Sequence, residues 1–173
     1  MRNQRIGSSE FTTKFGSLRD YVKGTIEIVN DDPKNYAFSN VFEVCAKSFP
    51  YEKVVVGKNL RYVVEALRAE GTSDWFFAPH DEFALVMDGL VEIDLVKPDH
   101  TATITPVGAE GSVKMEREPV GRKMGRMKLG RGHQALLPRG AAYRFRSPTA
   151  GVILLQTMLG SHSVQKWAEI CYT

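Results

Sequence analysis

The sequence predicts a mainly β protein, a jelly-roll barrel or β-sandwich with a short helix at each end. Its 173 residues are enough for one domain with a substantial core. Short apolar runs recur between turns that contain glycine and proline. One such turn, Asp88-Gly89, is a strong hairpin signal because glycine readily takes the positive φ that the turn needs. These three observations together favour many short strands.

The two ends of the chain are predicted to flank the barrel. Residues 1–24 form an arm and a short helix, since Thr12–Lys23 carries apolar residues at helical spacing. Residues 160–173 form a closing helix with apolar residues on one stripe, and Ser163 is placed to cap its first turn. The barrel itself occupies residues 25–159.

Within the barrel, apolar runs bounded by turn residues predict the strands. The segment 142–146 alternates, which places Tyr143 and Phe145 on one face and Ala142, Arg144 and Arg146 on the other. Further strands are predicted at Thr25–Val29, Lys53–Val56, Leu90–Val96, Thr101–Pro106 and Val152–Met158.

Many of the basic residues lie between Lys114 and Arg131, but the net charge of the whole chain is only +3. That charge does not by itself indicate a nucleic-acid partner. Because Glu116 and Glu118 lie in the same stretch, we interpret it as a solvated hairpin or insertion. A strip that binds an anion or a partner chain is the alternative.

The composition indicates a cytoplasmic protein. The two cysteines, Cys45 and Cys171, have no metal-like spacing and form no disulfide framework, which suits a reducing compartment. No apolar run approaches the roughly 18–20 residues that a membrane span needs. The first ten residues lack the apolar core of a signal peptide. We therefore expect neither a membrane nor a nucleic acid as partner.

Two motifs resemble those of the cupin family. The run from Glu82 to Gly89 matches the Glu-x6-Gly half of the first motif, but the two histidines that should precede it are missing. Depending on the alignment, their places are taken by Trp75 and Phe77 or by Phe76 and Ala78.

The second cupin motif is matched from Gly132 through Pro138 and Gly140, but Tyr143 stands where cupins have a metal-binding histidine. The resemblance thus implies a cupin-like jelly-roll barrel that has lost its metal ligands. The resemblance also decides between helix and strand for one segment. Leu60–Ala69 has apolar residues at helical spacing, but we predict a strand there because a cupin barrel has a strand at this place.

A metal site independent of these motifs would need other ligands. His80 and Glu82 are two residues apart, so they would share one face of an unbroken strand. With His133 they form the best displaced-metal hypothesis, whereas a loop histidine, a salt-bridged glutamate and a strand-start histidine are the simpler interpretation. No nucleophile motif or phosphate loop is present in the sequence.

The aromatic residues near the lost ligand positions are the remaining site candidates. Phe77 and Tyr143, with Glu82, either line a pocket at the barrel mouth or simply fill it. Trp75 follows a polar loop at a rim position, where an indole can offer an apolar wall or an N–H donor to an aromatic ligand. We expect Trp75 to bind substrate, with His80 second.

The whole sequence resembles the small subunits of two-subunit hydroquinone 1,2-dioxygenases. The resemblance lies in the segments Asp74–Phe83, Gly130–Gly140 and Gln165–Cys171. It implies a metal-free subunit without catalytic residues of its own. It also implies a larger cupin-type partner that binds Fe(II), an α2β2 heterotetramer, and cleavage of hydroquinone by O2 to 4-hydroxymuconic semialdehyde during breakdown of 4-nitrophenol and related phenols. A stand-alone, metal-free cupin that binds an aromatic ligand, and a metalloenzyme using the displaced site, remain alternatives.

Overall fold

Alternation of apolar and polar residues builds ten strands and one helix in the described part of the chain. The structure, a computed structural model, describes residues 16–21, 30, 40–101, 104 and 108–166. The helix is α1 (Val41–Lys47). The strands are β1 (Lys53–Asn59), β2 (Tyr62–Thr72), β3 (Phe76–Phe77), β4 (Glu82–Asp88), β5 (Val91–Pro98), β6 (Val113–Lys114), β7 (Gly121–Leu129), β8 (Gln134–Leu137), β9 (Ala142–Met158) and β10 (Ser163–Val164).

Strand β9 is the spine of the fold because its two halves pair with different neighbours. Its second half lies antiparallel between β2 and β4. Its first half pairs with β5 and with the short strand β3. The sheet continues outward from β5 to β7, from β4 to β8, and from β2 through β1 to β10. The sheet curls through β9 into the predicted cupin-like jelly roll.

The core lies inside this curl and is lined by every second residue of the strands. Leu67, Val86, Ile93, Phe145 and Ile153 belong to one cluster of buried side chains contributed by four strands. The predicted alternation of residues 142–146 is confirmed, since Tyr143 and Phe145 face this core. Leu60–Ala69 is also a strand over most of its length, as the resemblance to cupins predicted and its helical spacing did not.

Helix α1 covers part of the outer face of the sheet. The side chain of Asn40 caps its start by accepting a hydrogen bond from the N–H of Phe42. Phe42 and Cys45 pack with Ala66 and Val152, so a second, smaller core forms on this side of the sheet. Burial, against a smaller opposing effect of Arg68, raises the pKa of the Cys45 thiol to about 12, and Cys45 thus acts as an apolar residue.

The predicted terminal helices are wrong where the structure describes them. Residues 16–21, within the predicted helix Thr12–Lys23, form bends. The closing helix does not begin at Ser163, because Ser163 and Val164 pair with β1 as a parallel strand. The tail 167–173 and the predicted strand Thr25–Val29 lie outside the described residues.

The charged stretch contains an edge strand. Strand β7 pairs along its whole length with β5, and most of its side chains are exposed. Of the two interpretations, the solvated hairpin accounts for these exposed side chains. In the described ranges, no helix has the length and apolar character to cross a membrane.

Two glycines test how tightly the central hairpin is packed. Gly89 and Gly71 both have positive φ, 80° and 72°. A Cβ on Gly89 would lie 3.0 Å from the Cα of Gly151, whereas a Cβ on Gly71 meets nothing within 4 Å. We expect Gly71→Ala to cost roughly 1 kcal/mol through backbone strain, and Gly89→Ala to cost about 1 kcal/mol more through overpacking. Urea unfolding of both variants measures the difference, and equal losses would contradict this packing.

Candidate functional site: the barrel interior and the cleft beside Trp75

Two motif positions, Glu82 and Tyr143, lie buried inside the barrel. Tyr143 is 1% exposed and Glu82 is fully buried. Phe76 pairs with Tyr143 across β3 and β9, and their rings stack with centroids 5.8 Å apart. Strand alternation therefore makes Phe76 the aromatic residue that faces the interior, and Phe77, which is also buried, points to the other side of β3.

A buried lysine occupies the centre of this interior. Lys53, 2% exposed, donates hydrogen bonds to Ser112 and, at 3.3 Å, to the phenol of Tyr143. Its ammonium group lies 4.4 Å from the centroid of the Phe76 ring and 4.0 Å from Oε2 of Glu65. Such a buried charge is tolerated only when anionic and hydrogen-bonding groups surround it.

Two glutamates buried in this interior, Glu65 and Glu82, accept hydrogen bonds from hydroxyl groups in the second half of the chain. Thr157 donates a hydrogen bond of 2.5 Å to Glu82, and Ser163 donates one of 2.5 Å to Glu65. Nε2 of His80 lies 2.9 Å from the hydroxyl of Thr157 and 3.8 Å from Glu82. His80 and Glu82 thus meet, as their spacing predicted, but through a threonine that the sequence analysis did not consider.

Burial sets the electrostatics of this cluster. Desolvation raises the pKa of Glu65, although Lys53 and the hydrogen bond from Ser163 oppose the shift. Desolvation and then the carboxylate of Glu82 raise the pKa of Tyr143 well above its usual value, so the phenol stays protonated. A protonated phenol and an ammonium group do not fit a metal ion. The donor set inside this barrel is therefore unsuited to iron.

The displaced metal site is not formed. His133 lies in an exposed turn, where its ring nitrogen Nδ1 is 3.0 Å from the carbonyl oxygen of Gly130. His80 and Glu82 face Thr157 instead. Within the described segments, no three histidine, cysteine or acidic side chains converge as metal ligands. The hypothesis of a site built from His80, Glu82 and His133 is therefore wrong.

Trp75 lies on the outer face of the sheet and not inside the barrel mouth. It is 7% exposed and packs with Val96 and Ala142. The guanidinium carbon of Arg144 lies 4.4 Å from the centroid of its ring. The reason is the alternation of side chains along an extended segment. Phe76 points into the barrel, so the preceding residue, Trp75, points outward, to the face of the sheet that also carries Ala142 of β9.

An open cleft of about 650 Å³ lies beside Trp75 on this outer face. Its volume is in the range of small-molecule sites. Its lining residues come from β5, β7 and β9 and from the segments that precede β3 and β7. Its lining residues are Trp75, Asp94, Leu95, Val96, Glu118, Pro119, Gly121, Lys123, Gly125, Arg126, Arg144 and Arg146. Phe77 and Tyr143 are not among them: Tyr143 belongs to the core inside the barrel, and Phe77 is buried on the other side of β3.

Sequence reasoning missed Lys53 and Glu65, and a usable signal existed for both. In β2 the residues Val63, Glu65 and Leu67 alternate inward, which follows once this segment is taken as a strand. In β1 the same rule places Lys53 and Val55 on one face. What the sequence did not indicate is that the two charged residues face each other.

Removing the central ammonium group tests the interior. Lys53→Met leaves the buried Glu65 without its cation, so we expect a loss of about 3–5 kcal/mol of unfolding free energy. Lys58→Met, on an exposed position of the same strand, should change stability by less than about 0.5 kcal/mol. Adding Glu65→Leu to Lys53→Met should recover part of the loss, because a carboxylate is then removed with its partner. Thermal or urea unfolding measures all three variants; equal stability of the two lysine variants would contradict the arrangement.

Comparison with solved structures shows which family the chain belongs to. No protein-family model and no curated protein matches the chain. Hydroquinone 1,2-dioxygenase from Sphingomonas sp. TTNP3, with 4-hydroxybenzoate bound, shares 55% identity and a TM-score of 0.88 with it, over 92% of this chain and 96% of that one. Hydroquinone 1,2-dioxygenase PnpCD in complex with Cd²⁺ and 4-hydroxybenzonitrile shares 55% identity and a TM-score of 0.85 over the same fractions.

A second kind of chain also matches, at the level of fold alone. A chain of hydroquinone 1,2-dioxygenase PnpCD in complex with Fe³⁺ shares 12% identity and a TM-score of 0.57, and the match covers 83% of this chain but only 39% of that one. The matches at 55% identity extend over nearly the whole of both chains. On that evidence the chain belongs to the hydroquinone 1,2-dioxygenase family.

Proposed function

We propose that this chain is the small, metal-free subunit of an Fe(II)-dependent dioxygenase that cleaves the ring of hydroquinone. The reaction of hydroquinone with O2 would give one product, 4-hydroxymuconic semialdehyde. The iron would be bound by the larger, cupin-type partner. The active assembly would be an α2β2 heterotetramer. The observation that carries the proposal is the interior of the barrel, where Tyr143 takes the position of a metal-binding histidine and accepts a hydrogen bond from the buried Lys53.

The two kinds of matching chain support a two-chain enzyme. Structures named as the same dioxygenase contain a chain that this protein matches over 96% of that chain's length, and a longer chain that it matches over 39% of that chain's length. The longer chain is the natural model for the partner. Metal ions occur in those neighbours, as Cd²⁺ and Fe³⁺.

In this assembly the partner's Fe(II) supplies the binding and activation of O2 and the phenolate. The residues of this chain shape the pocket and exclude water. Trp75 is our main candidate for a direct contact, because it lines the open cleft and its indole N–H has no acceptor among the described residues. His80 is the second candidate, at the partly exposed edge of the interior network.

A stand-alone, metal-free cupin that binds an aromatic ligand is the second candidate function. The observation in its favour is the cleft of about 650 Å³ beside Trp75, which this chain forms without a partner. The two functions differ in whether the chain takes part in catalysis with an iron-binding partner or binds its ligand alone.

Iron content and hydroquinone-dependent O2 uptake distinguish these functions. Both are measured on this chain alone and on the chain co-expressed with a candidate larger cupin subunit. We expect iron and uptake only in the co-purified complex, because the described residues of this chain bring together no three side chains that could hold a metal ion. Stoichiometric iron on the isolated chain would contradict the proposal, and so would a partner that turns over equally well alone.

Substitution of Trp75 tests its contact with substrate. Trp75→Leu removes the aromatic wall, so we expect KM for hydroquinone to rise about three- to tenfold in the complex. Trp75→Phe keeps a ring and should restore most of the affinity. Tyr62→Leu, an aromatic change at an exposed position of β2, is the control and should leave KM unchanged. Steady-state kinetics, with unfolding temperatures for each variant, decide the point; an unchanged KM in Trp75→Leu would remove Trp75 from the site.

A further inference from the structure

Two of the edge strands, β7 and β8, differ in charge. Strand β7 pairs only with β5, and β8 pairs only with β4. Strand β7 carries Arg122, Lys123, Arg126 and Lys128 and no acidic residue, so like charges oppose its pairing with the same strand of another copy. Strand β8, Gln134–Leu137, has no charged residue. Of the two edges, β8 therefore lacks the charges by which sheets avoid contact with one another.

The hydrogen bonds at the start of β8 show which backbone groups lie on its open edge. The N–H of Val86 on β4 donates to the carbonyl oxygen of His133 at 2.9 Å, one residue before β8 begins. Along an antiparallel strand, residues alternate between turning both backbone groups to the partner strand and turning them away. His133 faces β4, so Gln134 and Leu136 turn their N–H and C=O groups to the open side. No described strand pairs with them there.

The side chains beside this edge form an exposed apolar row. Leu136 is 47% exposed, and Phe83, its cross-strand neighbour on β4, is 40% exposed. The row continues across the sheet to Gln156 of β9, which is exposed and uncharged. A strand added to β8 would bring further side chains against Leu136, because cross-strand neighbours on one face are in contact.

A second copy of this chain matches the edge in symmetry and in charge. Two identical strands pair antiparallel about a twofold axis, which is the symmetry of most homodimers. Paired residues share a face of the sheet, so the axis passes either Leu136 or Ala135. In the first register the two Leu136 side chains lie directly opposite, and in the second they lie diagonally, about 7–8 Å apart. Both registers place an uncharged strand against an uncharged strand, so no charge opposes the contact.

The size of this contact indicates where it becomes stable. A typical interface buries about 800 Å² on each partner, and a strand of four residues with two exposed apolar side chains covers less. Two isolated chains should therefore pair only weakly. In an assembly that already holds two copies, the same contact forms at a high effective concentration.

We propose that β8 is the edge through which two copies of this chain join their sheets, antiparallel about a twofold axis beside Leu136. One sheet then runs through both small subunits and connects two αβ heterodimers. The inference rests on the proposed function only for the presence of two copies in the α2β2 assembly. The pairing itself requires neither iron nor substrate.

Cross-linking measures the pairing directly. Leu136→Cys is made in a Cys171→Ser background, since the other cysteine, Cys45, is buried. A thiol reagent that spans about 8 Å should join this variant to its own copy, in the complex and in the concentrated isolated chain. Phe83→Cys in the same background is the matched control. It is similarly exposed but lies one strand further from the axis in each copy, so the reagent should not join it.

A charge on the same position tests the contribution of the contact to assembly. Leu136→Lys places two ammonium groups beside the axis, so the Kd of the chain's own dimer should rise at least about tenfold and the complex should fall from α2β2 to αβ. Tyr62→Lys puts the same charge on an exposed position of β2 and should leave both masses unchanged. Sedimentation measures the masses, and unfolding temperatures show whether each variant keeps its fold.

Two results would overturn the proposal. The first is a Leu136→Cys variant that the reagent joins to the larger subunit or to nothing, and the second is a Leu136→Lys complex that keeps the mass of α2β2. O2 uptake by the same preparations separates this proposal from the proposed function. Uptake by a complex whose copies do not cross-link defeats only the pairing, whereas cross-linked copies in a complex without uptake defeat only the dioxygenase role.

Discussion

The ammonium group of Lys53 is the constraint on which the interior of this protein depends. A full positive charge in a dry core is stabilised only if anions and hydrogen-bond acceptors meet it from several directions. Here they come from three strands and one loop: Glu65 on β2, the ring of Phe76 on β3, Tyr143 on β9, and Ser112. The charge therefore ties together parts of the chain that are far apart in sequence.

The same sheet has a different chemistry on its outer face. There Asp94 gathers Arg126, Arg144 and Arg146, and Arg144 in turn covers one side of the Trp75 ring. Inside, one cation is shared by several acceptors; outside, one anion is shared by several cations. The first arrangement is buried inside the barrel. The second is open to solvent and keeps unused donors, which is the condition under which a ligand gains affinity.

The fold was predictable because turn glycines and period-two alternation are local signals. Gly89, Gly132 and Gly140 all take the positive φ that their motif positions required. The site was predicted less well, since it depends on which residue of a short strand points inward. Trp75 and Phe76 are adjacent, and only the pairing of Phe76 with Tyr143 decides between them. The roles of Lys53 and Glu65 were not predicted for a related reason. The two residues contact each other only in the folded sheet, and no sequence motif indicates that contact.

Strand β9 carries both arrangements on consecutive residues, Tyr143 facing in and Arg144 facing out. Insertion or deletion of a single residue at its start would exchange the two faces. A guanidinium group would then enter the core and a phenol would enter the cleft. Single substitutions can therefore change either face, but an insertion or deletion would disrupt both. The number of residues between Gly140 and Ser147 is thus constrained by the interior and by the outer face together.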